Sequence, residues 1–266
     1  MNIIVCVKQI LDPEAPPSSF KVDEPGKKIV PPPGVPPVLS PFDENAVEAA
    51  LRIKDAQGGK ITVISMGANL AREVVKKPLS MGADELILLE DEAFTGGDNW
   101  STAYALSAAI KKIGDYDLVL CGRQAADWDM GQVGSGIAEL LDLPSVTLAR
   151  KVEAADGGVR VERVTEDGYE VMEVSLPALV TVSNELGEAR YPTIKGIMAA
   201  KRMEPVIWKP ADIGLEPAQV GAGGRRLQLL RLSQPVSEGR CELIEGDTPE
   251  EAGANLALKL REAKLL

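Results

Sequence analysis

The residues best placed to do chemistry lie between Cys121 and Pro144, in CGRQAADWDMGQVGSGIAELLDLP. The apolar run at residues 117–121 has the character of a buried strand, and Gly122 ends it. A polar loop follows, and Gly131, Gly134 and Gly136 lead into a helical pattern at residues 137–141. A glycine-bearing loop between a strand and a helix presents free backbone N–H groups to an anion such as a phosphate. Its order is not G-x-G-x-x-G, and no Lys-Ser/Thr pair follows as in a P-loop, so the glycines alone fit a structural turn at least as well. Arg123 is able to pair with a phosphate at two points. Asp127 and Asp129 carry the wrong sign for that, and ribose hydroxyls or helix N-termini are their expected partners.

What is missing narrows the chemistry further. The chain has no histidine, which excludes His-based acid/base work, Ser-His-Asp and Cys-His nucleophiles and imidazole metal sites. Its 3 cysteines, Cys6, Cys121 and Cys241, are far apart and form no C-x-x-C pair, so no disulfide scaffold, zinc knuckle or iron–sulfur cluster is expected. Two of them sit in or beside strand-like runs, where a thiol behaves as a small buried hydrophobe. The expectation is a chain that binds rather than catalyses.

Composition agrees. A length of 266 residues with 45% hydrophobic content suits a large α/β domain with an extension. A net charge of -11 argues against nucleic acid, which needs a basic surface. Aromatic content is 4%, so a flavin or base finds few stacking partners. No apolar run is long enough to span a bilayer, which argues against direct membrane insertion. The first residues begin a strand rather than a signal peptide, and a cytoplasmic setting is expected.

The elements that must hold these residues alternate. Residues 3–7, 61–65, 86–89 and 118–121 look like buried strands, and residues 44–56, 70–79 and 100–113 like helices. Ala46, Ala49, Ala50 and Ile53 fall at i, i+3, i+4, i+7 on one helix face. Such alternation implies a parallel sheet with right-handed crossovers and a ligand site beyond the carboxyl ends of its strands. Two further loops meet that edge. A Pro-rich segment, expected to be extended or polyproline-like, closes at Ser40, Pro41, Phe42 and Asp43, which fit a helix N-cap, a first helical proline and a weak capping box. The other loop is Ser65-Met66-Gly67-Ala68, and Gly82 is expected to end the helix before residue 86.

Past residue 145 the pattern changes to a β-hairpin at residues 159–164 and 169–174, turned at Glu166-Asp167-Gly168, then a strand at 179–182. Beyond Lys201 periodicity fades until a capping box, Thr248 with Glu251, opens a helix carrying Ala252, Leu256, Leu260 and Ala263. The expected domains are an α/β nucleotide-binding domain at residues 1–205 and a C-terminal arm at 206–266.

Arg123-Gln124-Ala125-Ala126-Asp127, with Gln132 and Gly134, resembles the nucleotide loop of the electron transfer flavoprotein β subunit. Residues 163–182, with Asp167, Gly168, Glu170 and LPALVT, resemble that family's signature, and RYPTIKGIMAAK at residues 190–201 resembles its recognition loop. Val7-Lys8, Pro41-Phe42 and Met81-Gly82-Ala83-Asp84 match as well, so the resemblance is collinear over nearly the whole chain. It implies an adenine-nucleotide-binding, Rossmann-like α/β fold and a heterodimer whose α subunit carries the redox-active FAD. The β subunit then holds AMP, or a second FAD in electron-bifurcating relatives, and docks acyl-CoA or related dehydrogenases without catalytic turnover of its own. The C-terminal arm and helix would pack on the α subunit.

Carried over by position, the nucleotide would touch Cys6, Ser40, Pro41, Phe42, Asp43 and Met66. From the loop it would touch Arg123, Gln124, Ala125, Ala126, Asp127, Trp128, Asp129, Met130, Gly131, Gln132, Val133 and Gly134. Docking falls to a partner-recognition loop at residues 184–202, through Arg190, Tyr191, Ile194, Ile197, Met198 and Lys201, an apolar anchor flanked by charge. Two positions depart from the family. Trp128 stands where relatives with a second FAD usually have a small Gly; its ring would either fill the space of an isoalloxazine, which favours AMP, or stack on one, and Gln132-Val133-Gly134 instead resembles the bifurcating branch. Pro13 stands where a Tyr often approaches the α-subunit flavin, whereas Phe42 is retained. The alternative is a stand-alone adenine-nucleotide-binding or ATP-cleaving protein on the same scaffold, although neither a P-loop nor a Ser-Gly-Gly-x-Asp loop is present to serve it.

Overall fold

The structure, a computed structural model, describes residues 1–235, 239 and 241–266. The chain opens with β1 (Asn2–Val7) and the short β2 (Gln9–Ile10), then β3 (Lys21–Asp23), β4 (Lys28–Val30) and β5 (Val38–Leu39). Helix α1 (Pro41–Gln57) leads to β6 (Lys60–Gly67), α2 (Arg72–Val75), α3 (Lys77–Met81) and β7 (Glu85–Glu90). Next come α4 (Asn99–Ile113), β8 (Leu118–Gly122), α5 (Val133–Leu141) and the antiparallel run β9 (Ser145–Ala155), β10 (Gly158–Thr165) and β11 (Gly168–Ser175). Strand β12 (Ala178–Val182), helix α6 (Ile194–Arg202), β13 (Val206–Trp208) and the short α7 (Gly221–Gly224) complete the first compact unit, Met1–Arg231.

A 9-stranded sheet runs in the order β11-β10-β9-β12-β8-β1-β6-β7-β13. From β9 to β13 every neighbouring pair is parallel, while β10 and β11 continue the sheet as antiparallel strands. Two apolar cores cover its faces. One gathers residues of α1, α2, α3 and α6 with Ile3, Val5 and Leu120, and the other gathers α4 and α5 with Ile4, Cys6 and Cys121. Burial on both faces is why the central strands are near-continuous apolar runs, and why the fold is α/β.

Local departures from the expected elements have identifiable causes. The helix expected at residues 70–79 is broken at Lys76, because Pro78 has no N–H to donate back to the preceding turn. The Pro-rich segment is not uniformly extended: β3 and β4 form a small hairpin inside it, and β5 pairs with β2. Strand β9 does not alternate with period two: its buried residues, Val146, Ala149 and Val152, are spaced by three. Leu148 has φ 62, and the register with both neighbouring strands shifts nearby, so the bulge breaks the alternation. Val206–Trp208 pairs with β7, so the sheet extends past residue 205, where the first domain was expected to end.

The second unit, Leu232–Leu266, contains α8 (Pro249–Glu262). The Thr248 hydroxyl accepts from the Glu251 N–H at 3.2 Å, as the capping pattern predicts. Helix α8 has no buried residue, so its apolar side chains, Leu256 and Leu258 among them, remain exposed. No helix among the described residues is long and apolar enough to cross a membrane.

Candidate functional site

The sheet order reverses at β1. The chain goes from β1 to β6 and β7 on one side, then returns to β8 on the other. Crevices at the carboxyl ends of strands flanking such a reversal are where open α/β sheets bind ligands. Cys6 and Cys121 are register partners across β1 and β8, both buried just below that edge. The chain leaves β1 through Lys8 and β8 through Arg123, and the first turn of α1 packs against both exits. Gly122 is required there, since a Cβ would lie 2.4 Å from the Asp43 carboxylate and 2.8 Å from Phe42.

The capping box expected at Ser40 and Asp43 does not form. Ser40 makes no side-chain cap bond, although Pro41 does open the helix, and Asp43 turns inward. Its carboxylate accepts the Lys8 N–H at 2.8 Å and the Gly122 N–H at 3.1 Å, joining the ends of β1 and β8 through α1. Burial raises the Asp43 carboxyl to about 7, against the opposing pull of those two N–H donors and the Lys8 charge. Lys8 completes the arrangement. Its ammonium pairs with Asp127 at 2.8 Å, so the residue whose backbone Asp43 holds also holds the β8–α5 loop.

That loop is folded on itself. Asp127 has Lys8 as partner, and Asp129 accepts from the Gln124 amide at 2.8 Å. Asp129 and Gly131 have φ 51 and 64, which turn the chain towards α5. Gln132 accepts from the Asn99 amide at 2.9 Å, fastening the start of α5 to the start of α4. Helix α5 begins without a side-chain cap, so its first-turn N–H groups are presented to the crevice edge. Gly134 and Gly136 let it approach Thr181 and Ala103, where a Cβ would sit 2.6 and 3.0 Å from their side chains. Trp128, on the same loop, is 50% exposed.

Buried polar groups without protein partners call for a partner, from a ligand or an ordered water. Among the described residues these are the Ser40, Ser65 and Ser107 hydroxyls and the Arg123 Nε. All but Ser107 lie on this edge: the Ser40 N–H donates to the Lys8 carbonyl at 2.9 Å, Ser65 pairs in register with Val7, and Arg123 follows β8. Arg123 also donates to the Ser183 hydroxyl at 3.2 Å, and its guanidinium lies 6.0 Å from the Phe42 ring centroid. Ser183 in turn bonds Glu185, which holds that carboxyl below the usual range. A cation, hydroxyls and an open helix start form a donor set suited to a phosphorylated, hydroxylated ligand.

The structure therefore brings Cys6, Ser40 to Asp43 and Arg123 to Gly134 together, and places Met66 one strand away at the end of β6. Pro41, Gln124, Ala125, Ala126, Met130 and Val133 lie within the same two segments. Lys8, Ser65, Ser183 and Glu185 also belong to this constellation. The sequence signalled Lys8, directly after a buried strand, and Ser65, in a loop expected at this edge, but neither Ser183 nor Glu185.

A second surface lies on α6. The Thr193 hydroxyl accepts from the Gly196 N–H at 3.0 Å and caps it, Ala200 is buried, and Gly196 packs on the Ser80 carbonyl of α3. The other apolar residues face outward: Tyr191 is 88% and Ile194 81% exposed, with Ile197 and Met198 beside them, and Lys201 is exposed. Arg190 is engaged internally. It donates to Glu48 at 2.8 Å and pairs with Asp55 at 2.8 Å, holding the approach to α6 against α1. Burial raises the Glu48 carboxyl, but the bonds from Arg190 and Arg52 outweigh it and hold the group below its ordinary value.

A family profile described as "Electron transfer flavoprotein domain" matches residues 34–213. The chain is 43% identical to the "Caffeyl-CoA reductase-Etf complex subunit CarD" of Acetobacterium woodii over 267 residues, covering 100% of each chain. It is 44% identical to the "Electron transfer flavoprotein subunit beta" of Thermoanaerobacterium thermosaccharolyticum over 261 residues, 98% of each. "Protein FixA" of Azotobacter vinelandii is 36% identical over 253 residues, 92% of this chain and 88% of its own. Fold, switch-point crevice and full-length similarity converge: the chain belongs to the electron transfer flavoprotein β-subunit family.

Proposed function

We propose that this chain, whose family carries electrons together with a flavoprotein α subunit, holds an adenine nucleotide in the β1/β8 crevice and docks partner dehydrogenases through α6. The observation that carries the nucleotide reading is the clustering of unpartnered buried groups, Ser40, Ser65 and Arg123, around an uncapped helix start at the switch point. Arg123 and the first turn of α5 would hold the phosphate, and the serine hydroxyls the remaining polar edges. AMP there is a structural ligand, whereas FAD would add a second redox centre. With no histidine in the chain, catalysis is left to the partners, and the cytoplasm is the expected compartment.

Denaturing the purified heterodimer and separating the supernatant by chromatography tests this. One FAD per heterodimer with one AMP supports a structural nucleotide, and two FAD support a second redox site. One FAD and no other nucleotide overturns the reading. Arg123→Ala should weaken retention ten- to a hundred-fold, since a charge-assisted contact contributes about 1.5–3 kcal/mol.

A further inference from the structure

The crevice contains a closed chain of contacts that runs through a carboxylate. Asp43 is 6% exposed and accepts N–H groups from the ends of two strands. Lys8, held by its backbone, reaches Asp127 with its side chain, and Asp127 lies on the loop that begins at Gly122. The path from Gly122 to Asp43, Lys8, Asp127 and back along the loop forms a ring. We infer that Asp43 is a positioning residue of the nucleotide loop: by aligning the ends of β1 and β8 it sets Lys8 where it closes the loop over the crevice. The inference rests on the nucleotide reading for its consequence, but the loop tie itself does not.

Geometry dictates how the tie responds to protons. A carboxylate accepts two N–H bonds at once, whereas its protonated form places an O–H against one of two donors. The charged or ionisable groups around Asp43 are Lys8, Asp127 and the Cys121 thiol. Lys8 favours the carboxylate and Asp127 opposes it. The Cys121 thiol is pushed up by its contact with Cys6 and by burial, so it stays neutral. Burial leaves Asp43 titrating at about 7, so the tie is at full strength only above that pH.

Fluorine NMR on the 5-fluorotryptophan-labelled heterodimer tests the inference, with the Trp128 resonance assigned by Trp128→Phe. The expected result is a Trp128 shift with a midpoint near pH 7 and nucleotide release about ten-fold faster at pH 6 than at pH 8. Asp43→Asn should abolish that step and hold release at the fast value throughout. Lys8→Met cuts the second link and leaves Asp43 in place, so it should free Trp128 from any pH response even if Asp43→Asn does not fold. A flat Trp128 profile in the unaltered protein, or an unchanged step in either variant, overturns the tie. A normal Trp128 step in a heterodimer lacking AMP and a second FAD overturns the nucleotide reading alone.

Discussion

At the residue scale, Asp43 joins two roles with opposite dependence on pH. Its folded value of about 7 lies above the ordinary 3.8, so the folded chain holds that proton more firmly than the unfolded one. Its stability contribution is therefore largest below about pH 4 and is lost as pH rises through about 7, by an amount on the order of 4 kcal/mol at most. The loop tie runs the other way and is strongest when the carboxyl is charged. Denaturant unfolding at pH 5 and pH 8 should show this as a fall in stability with rising pH that Asp43→Asn removes. Equal slopes in the two proteins would mean that Asp43 ionises as freely as an exposed carboxylate. The position was legible as a helix start, but the inward turn of the side chain was not. A capping box and a buried tie use the same residue at the same helical position, and only the approach of Lys8 and Gly122 distinguishes them.

At the element scale, α6 is a helix whose small residues face inward and whose large apolar residues face out. Ala200 and Gly196 seat it on α3, and Tyr191, Ile194, Ile197 and Met198 are left in water. That is the reverse of an ordinary amphipathic surface helix, and it points to a partner. Ile194→Ala should leave heterodimer, flavin spectrum and thermal stability unchanged. It should slow electron transfer from a dehydrogenase about ten- to a hundred-fold when encounter limits, since burying an Ile side chain is worth roughly 1.5–3 kcal/mol. Reduction by dithionite should be unaffected. Unfolding of the Ile194→Ala protein would place the residue in the core and remove the docking assignment. Arg190 differs from its neighbours. With Glu48 and Asp55 as partners it holds the segment before α6, so in the proposed docking its part would be indirect.

At the scale of the whole molecule, the first unit closes on its own cores while the second does not. Helix α8 buries none of its residues within Leu232–Leu266, and Leu256, Leu258, Leu265 and Leu266 are exposed. A helix of that kind gains most of its stability from packing rather than propensity, and the α subunit is its expected support. Ending the chain at Arg231 should leave the first unit folded by circular dichroism while lowering the yield of heterodimer on co-expression. Unchanged assembly would remove the arm from the interface. Much of this architecture was readable from residue order alone. Continuous apolar runs alternating with helical patterns require a parallel sheet buried on both faces, and residues 159–174 announce their hairpin by period two and an Asp-Gly turn. The content of the crevice was not readable in the same way. Lys8, Asp43, Ser65, Arg123 and Asp127 are scattered over the chain, and local patterns carry no information on which side chains meet at a sheet edge. Strand order decided that: the return of β8 to the far side of β1 creates the switch point, and the folded loop then pairs Asp127 with Lys8 and leaves the buried Arg123 Nε without a protein partner. Periodicity follows from local burial and is written in the sequence, whereas charge pairing and unsatisfied polar groups depend on distances that exist only once the strands are side by side.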